Sequence, residues 1–205
     1  MNAELQRVPI RSKAVWGARV RIAARVAAAL LLLLPLTSCS EAVRQGDGSS
    51  YLVITSLTGG SDNDSTVESD VLSDDGTIFT DVGQATMQLV MKDQGGPGPS
   101  PVNAITITQY RVEYIRTDGR NTPGVDVPFG FTGGAAVTIT GTGSVDFTLV
   151  RIQAKLEAPL KALGGFGGAQ VISTVARITF FGRDQAGHEV SVTGNIDVTF
   201  ANWAG

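Results

Sequence analysis

Glu189-Val-Ser-Val-Thr-Gly-Asn-Ile-Asp-Val-Thr-Phe200 alternates apolar and polar residues with a single gap at Gly194. Val190, Val192, Ile196, Val198 and Phe200 share one face, while Glu189, Ser191, Thr193, Asn195, Asp197 and Thr199 share the other. A period of two places one face in a core and the other in water, which is the pattern of a half-buried β-strand. Upstream, Val171 to Phe181 is dense in β-branched and aromatic residues and predicts a partner strand, with a turn at Ala186-Gly187 between the two.

The same reading extends back along the chain. Val125 to Phe131, Val137 to Thr140 and Val145 to Ile152 are strand candidates, separated by Gly133-Gly134 and Gly141-Thr142-Gly143. Ala104 to Arg116 changes phase: Ile105 and Ile107 share one face, whereas Tyr110, Val112 and Tyr114 share the other. One register cannot bury both sets, so a bulge near Thr108-Gln109 is expected. Met87, Leu89 and Met91 alternate with Thr86, Gln88 and Lys92, and Tyr51 to Ser56 forms the first strand candidate. Ser61 to Asp75 is acidic and nearly free of apolar residues, so it reads as a loop, and so does Gly95 to Pro101. Leu156 to Leu163 is the one stretch suited to a short helix, with Pro159 in its first turn. About 7–9 short strands with little helix predict an all-β chain forming a single β-sandwich.

Two segments carry a resemblance. Arg177-Ile-Thr-Phe-Phe-Gly-Arg-Asp-Gln-Ala-Gly-His-Glu-Val190 is similar to the last hairpin of bacterial immunoglobulin-like domains, and Tyr110-Arg-Val-Glu-Tyr114 to a central strand of fibronectin type III modules. Together they cover under a quarter of the chain and imply an immunoglobulin-like sandwich. The inter-sheet disulfide of antibody-type domains is impossible here, because Cys39 is the one cysteine.

Cys39 has a different role in the second resemblance. Leu36-Thr37-Ser38-Cys39 follows the apolar run Val26 to Leu36 and resembles the lipobox of bacterial lipoproteins. Arg7, Arg11, Lys13, Arg19, Arg21 and Arg25 precede that run, completing the layout of an export signal. The run falls short of the roughly 20 residues that span a bilayer core. The alternative, an uncleaved membrane helix starting at Val20, would bury Arg21 and Arg25 at about 2.5–3.5 kcal/mol each. The resemblance implies a diacylglycerol on the Cys39 sulfur and cleavage before it. The expected organisation is a signal peptide over 1–38, a flexible tether over 39–50 and a β-sandwich over 51–205. Ser40, rather than Asp, follows the cysteine, which implies an outer membrane location facing the periplasm if the host has two membranes.

Charge bounds the partners. The full chain carries 16 Lys+Arg, 19 Asp+Glu and a net −3. Removing six bases and one acid with the signal leaves 16 − 6 = 10 against 19 − 1 = 18, a net −8. An acidic surface without basic clusters disfavours nucleic acid and anionic lipid as partners. No cofactor is expected. With one Cys and one His, neither a thiolate cluster nor a multi-histidine metal centre can form within one chain.

Candidate sites are few. A nucleophilic triad would need His188 with Asp184 or Asp197, but His188 follows the Ala186-Gly187 turn and reads as an exposed turn residue. No Gly-x-Ser-x-Gly elbow occurs, and Gly164 to Gly168 lacks the Lys of a phosphate-binding loop. Asp62, Asp64 and Asp70 are weak calcium candidates without the spacing of an EF-hand, and a solvated acidic loop is the favoured reading. Arg116-Thr-Asp-Gly-Arg-Asn-Thr-Pro-Gly-Val-Asp126 is the most unusual stretch after the signal. Arg116, Asp118, Arg120, Asn121 and Asp126 there form a candidate binding loop, because loops on sandwiches commonly carry recognition. The competing reading is a hairpin whose Asp and Asn cap its own backbone, and it carries more weight. The leading expectation is therefore a non-enzymatic, membrane-anchored lipoprotein binding an envelope protein or glycan. A cell-envelope hydrolase using acids in a cleft is the alternative.

Overall fold

The computed structural model describes residues 48–59, 64–165 and 169–203. It forms eight strands: β1 (Ser50–Gly59), β2 (Thr66–Asp70), β3 (Asp81–Met91), β4 (Ile105–Ile115), β5 (Phe131–Ile139), β6 (Thr142–Val150), β7 (Ile172–Asp184) and β8 (Glu189–Ala201). Among the described residues one α-helix, α1 (Ile152–Leu156), is present, and with a 3-10 segment (Leu160–Gly165) it links β6 to β7. The strands make two sheets, β1-β3-β6 and β2-β8-β7-β4-β5. All pairings are antiparallel except β2 with β8. Only β4 to β5 and β7 to β8 connect within one sheet, and every other connection crosses between sheets. This is the all-β sandwich expected, with β1, β3 and β6 facing β4, β7 and β8.

The alternating faces meet in one core. Val190, Ile196, Val198 and Phe200 of β8 are buried, as are Ala176, Ile178 and Phe180 of β7. The phase change in β4 is a bulge: the register slips between Ile107 and Gln109 against both neighbours. That slip turns Tyr110, Val112 and Tyr114 inward along with Ile105 and Ile107, and all five are buried. The Tyr110 ring packs edge-on to Phe131 and Phe147, with centroids 6.3 and 5.6 Å away. Both tyrosine hydroxyls find partners on the opposite sheet. Tyr114 donates to the Leu149 carbonyl at 2.7 Å, and the Thr148 N–H donates to the Tyr110 hydroxyl at 3.0 Å. These bonds satisfy groups that burial would otherwise penalise by about 1–3 kcal/mol each.

Three local expectations are corrected. The acidic stretch Ser61–Asp75 is not all loop, because β2 lies within it. Val67 fills one inward position, and the second, Ser69, is buried through a hydrogen bond to Asp81 rather than by apolar packing. Val125 to Phe131 is not a strand: β5 starts at Phe131 and runs through Gly133-Gly134. Gly133 is no turn signal there. A Cβ at that position would sit 2.3 Å from the Tyr110 ring, so only glycine lets the strand close over the tyrosine. The helix expected over Leu156–Leu163 is divided around Pro159, because the residue before a proline is disfavoured in α conformation.

The registers give the sandwich two ends. At the entry end, Ser50 faces Met91 and Ile105 faces Asp184, and Gly48 lies against Asp184 and His188. At the far end, Asp81 faces Val150, Ile115 faces Val175 and Asp70 faces Ala201. Residues 116–130 join β4 to β5 at this far end.

Candidate functional site

The outward face of the five-stranded sheet can be laid out from its registers. Thr132, Arg111, Thr179 and Thr193 form one row across β5, β4, β7 and β8. Glu113, Arg177 and Asn195 form the next row toward the far end, and Ile115, Val175, Asp197 and Thr66 the one after. Neighbouring strands lie about 4.8 Å apart, so this is a closely spaced lattice of hydroxyl, amide, carboxylate and guanidinium groups. Thr179 and Thr193 hydrogen-bond across it at 3.0 Å.

The segment 121–130 turns this lattice into a groove of about 550 Å³, lined by Arg111, Glu113, Arg177, Asn121, Phe129 and their neighbours. Phe129 is held open to solvent at 50 % exposure. Its ring rests on Gly124, whose φ of +76° and contact at 2.5 Å from a would-be Cβ both require glycine. Arg111 is tied to Glu113 at 2.7 Å. Arg177 lies opposite Glu113 in the register, is exposed, and forms no ion pair with the described residues. A second, smaller recess of about 280 Å³ continues toward β2, lined by Thr66, Ser173, Asp197 and Thr199.

The five residues of the expected binding loop lie at this far end, but most of their polar groups bind one another. Arg116 grips Asp118 through Nε and Nη2, the latter at 2.6 Å, and Arg120 adds Nε and backbone N–H bonds to the same carboxylate. Hydrogen bonds from Arg116, then from the Arg120 backbone and side chain, hold Asp118 well below the usual carboxylate range. The Asn121 side chain accepts from the Arg116 N–H at 2.6 Å and donates to its carbonyl, while Asp126 accepts from the Thr122 N–H at 3.2 Å. The loop is a self-capped turn that walls the groove, with Asn121 in the lining.

The other candidates are scattered. His188 Nδ1 meets Asp184 Oδ2 at 2.8 Å, and Asp184 Oδ1 also accepts the N–H groups of Ala186 and His188. Burial works to raise the Asp184 pKa, but the bonds from His188 and Ala186 outweigh it and the net direction is down. The pair closes the β7–β8 turn at the entry end, while Asp197 lies toward the far end of β8. Asp62 and Cys39 lie outside the described residues. Asp64 pairs its backbone with Gly59, and Asp70 accepts the N–H groups of Leu72 and Trp203. Among the described residues no three His, Cys, Asp or Glu side chains are grouped to hold a metal ion.

One cluster carried no sequence signal. Lys155 on α1 is 1 % exposed, and its Nζ contacts Asp81 Oδ2 at 3.0 Å and donates to the Asp70 carbonyl at 2.7 Å. Burial pushes the Asp81 carboxyl up, opposed by the Lys155 charge and the Ser69 hydroxyl. Its members are separated by up to 85 positions, so only the fold brings them together. The groove residues Arg111, Glu113 and Arg177 were equally silent, being ordinary polar positions on alternating strands. No protein-family model matches the chain, and no curated protein matches it significantly.

Proposed function

We propose that this chain is a lipid-anchored envelope lipoprotein whose sandwich serves, without catalysis, to hold a partner in the groove beside Phe129. The observation that carries this reading is the placement of the groove at the end opposite the one where the chain enters the fold. Residues 48–50 join the domain beside Asp184 and Asn103, whereas the groove lies on the far halves of β4 and β7. A ligand held there leaves the entry residues 48–50 uncovered. The anchor itself rests on the Leu36–Cys39 motif and on two or three acyl chains holding more firmly than one. No helix among the described residues is long and apolar enough to cross a membrane. Ser40 supports the outer membrane as the location in a two-membrane host.

Two measurements test the reading together. Metabolic labelling with a lipid precursor is expected to mark the wild-type protein and not Cys39→Ser, and equal labelling overturns the anchor. Affinity capture from native membranes is expected to recover a partner with the wild type and lose it with Phe129→Ala. Undiminished capture by that variant removes the groove from the account.

A further inference from the structure

Resting on the groove as the binding site, we propose that its ligand is a carboxylated oligosaccharide, with a sugar ring on Phe129 and a carboxylate on Arg177. The first argument is what the groove lacks. It lies mostly over β4 and β7, interior strands whose backbone groups are already paired on both sides, with Phe131 and Thr132 of the edge strand β5 at its border. Over those two strands no row of free N–H and C=O groups is open to an extended peptide, so recognition there falls to side chains.

The second argument is what those side chains are. Thr132 and Glu113 offer a hydroxyl and a carboxylate inside the groove, the Asn121 amide there being held by the Arg116 backbone, and Asn195 and Asp197 continue the supply across β8. Sugars present many hydroxyls at comparable spacing and one apolar ring face. Phe129, half exposed and propped on Gly124, offers a flat apolar surface for that face.

The third argument is charge. Arg111 is neutralised by Glu113, which leaves Arg177 as the guanidinium in the groove without an ion-pair partner among the described residues. A planar guanidinium takes a carboxylate through two parallel hydrogen bonds. The rest of the chain after the signal is strongly acidic, with 18 Asp+Glu against 10 Lys+Arg, so a dense polyanion is repelled while isolated carboxylates are accepted. A uronic-acid glycan combines these properties.

The test titrates the purified full-length protein with a trisaccharide bearing one galacturonic acid residue, with the methyl ester of that trisaccharide, and with an acidic peptide bearing one carboxylate. The acid trimer is expected to bind about tenfold more tightly than the ester. Arg177→Ala should erase that difference, and Phe129→Leu, which keeps an apolar side chain but no ring, should weaken the acid trimer about threefold or more. Unchanged thermal unfolding of both variants guards against a folding artefact. The proposal is overturned by equal affinity for acid and ester, by equal binding of the acidic peptide, by indifference to Arg177→Ala, or by no binding at millimolar trimer. If it fails while capture from native membranes still depends on Phe129, the groove stands as a binding site and only its ligand class is wrong. If both fail, the site falls as well.

Discussion

The two ends of the sandwich are closed by different chemistry. At the entry end a local turn does the work: Asp184, Ala186 and His188 are within four positions of one another, and one carboxylate gathers two backbone N–H groups and a ring nitrogen. At the far end the closure is non-local. Lys155, Asp81, Ser69 and the Asp70 carbonyl come from α1, β3 and β2, and Leu160 and Leu163 complete the plug from the 3-10 segment. The entry end is therefore closed by residues adjacent in sequence, whereas the far end depends on the whole fold.

The comparison can be broken most forcefully at the buried pair. Lys155→Met leaves the Asp81 carboxylate, which burial already disfavours, without its counter-ion, and a loss of about 3–5 kcal/mol in urea unfolding is expected. Replacing the pair together, Lys155→Met with Asp81→Leu, should recover most of that loss, because two well-packed apolar groups avoid the desolvation. A small effect of Lys155→Met alone would mean that the far end does not depend on the pair.

Next in size is the bond between the sheets. Tyr114→Phe removes the donor to the Leu149 carbonyl and leaves that buried acceptor unpaired, for an expected loss of about 1–2 kcal/mol by chemical unfolding. Burial pushes the Tyr114 phenol up, so no titration of it enters below strongly alkaline pH.

The entry end should respond more weakly but with a distinctive pH signature. Asp184→Asn is expected to cost about 1 kcal/mol. In the wild type the Asp184 pKa is depressed on folding, so its contribution is complete above the unfolded value near 3.9 and is lost as the pH falls below it. Asp81 has the opposite sign: its raised pKa means the folded state binds the proton more readily, so its contribution grows as the pH drops. Hydrogen-exchange protection of the Ala186 and His188 amides should therefore fall on acidification before that of the Val71 amide at the far end. The reverse order would contradict the assignment. The smallest effect expected is for Arg120→Ala, an exposed partner of Asp118, whose removal should change stability by less than about 0.5 kcal/mol.

Legibility in the sequence follows the same division. β8 could be read from its alternation, and the β4 bulge from the conflict between Ile105-Ile107 and Tyr110-Tyr114, because each is a local pattern with one apolar face. β2 was hidden because its inward positions are Val67 and Ser69, and the second is buried by a hydrogen bond rather than by apolarity. β5 was hidden because Gly133-Gly134 carries the local signature of a turn while answering to the Tyr110 ring on the next strand. The expected loop lies beside the groove at the far end, yet its charges mostly cap one another. The groove beside it draws on Arg111, Glu113 and Arg177, whose meeting depends on strand register, which no single segment encodes.

The central claim is that binding belongs to the far end and attachment to the entry end. Photo-cross-linking in intact cells tests it directly, with a photoreactive residue placed at Phe129 in one strain and at His188 in another. The account predicts a discrete adduct from position 129 and none from position 188. An adduct from position 188 with none from position 129 would contradict it.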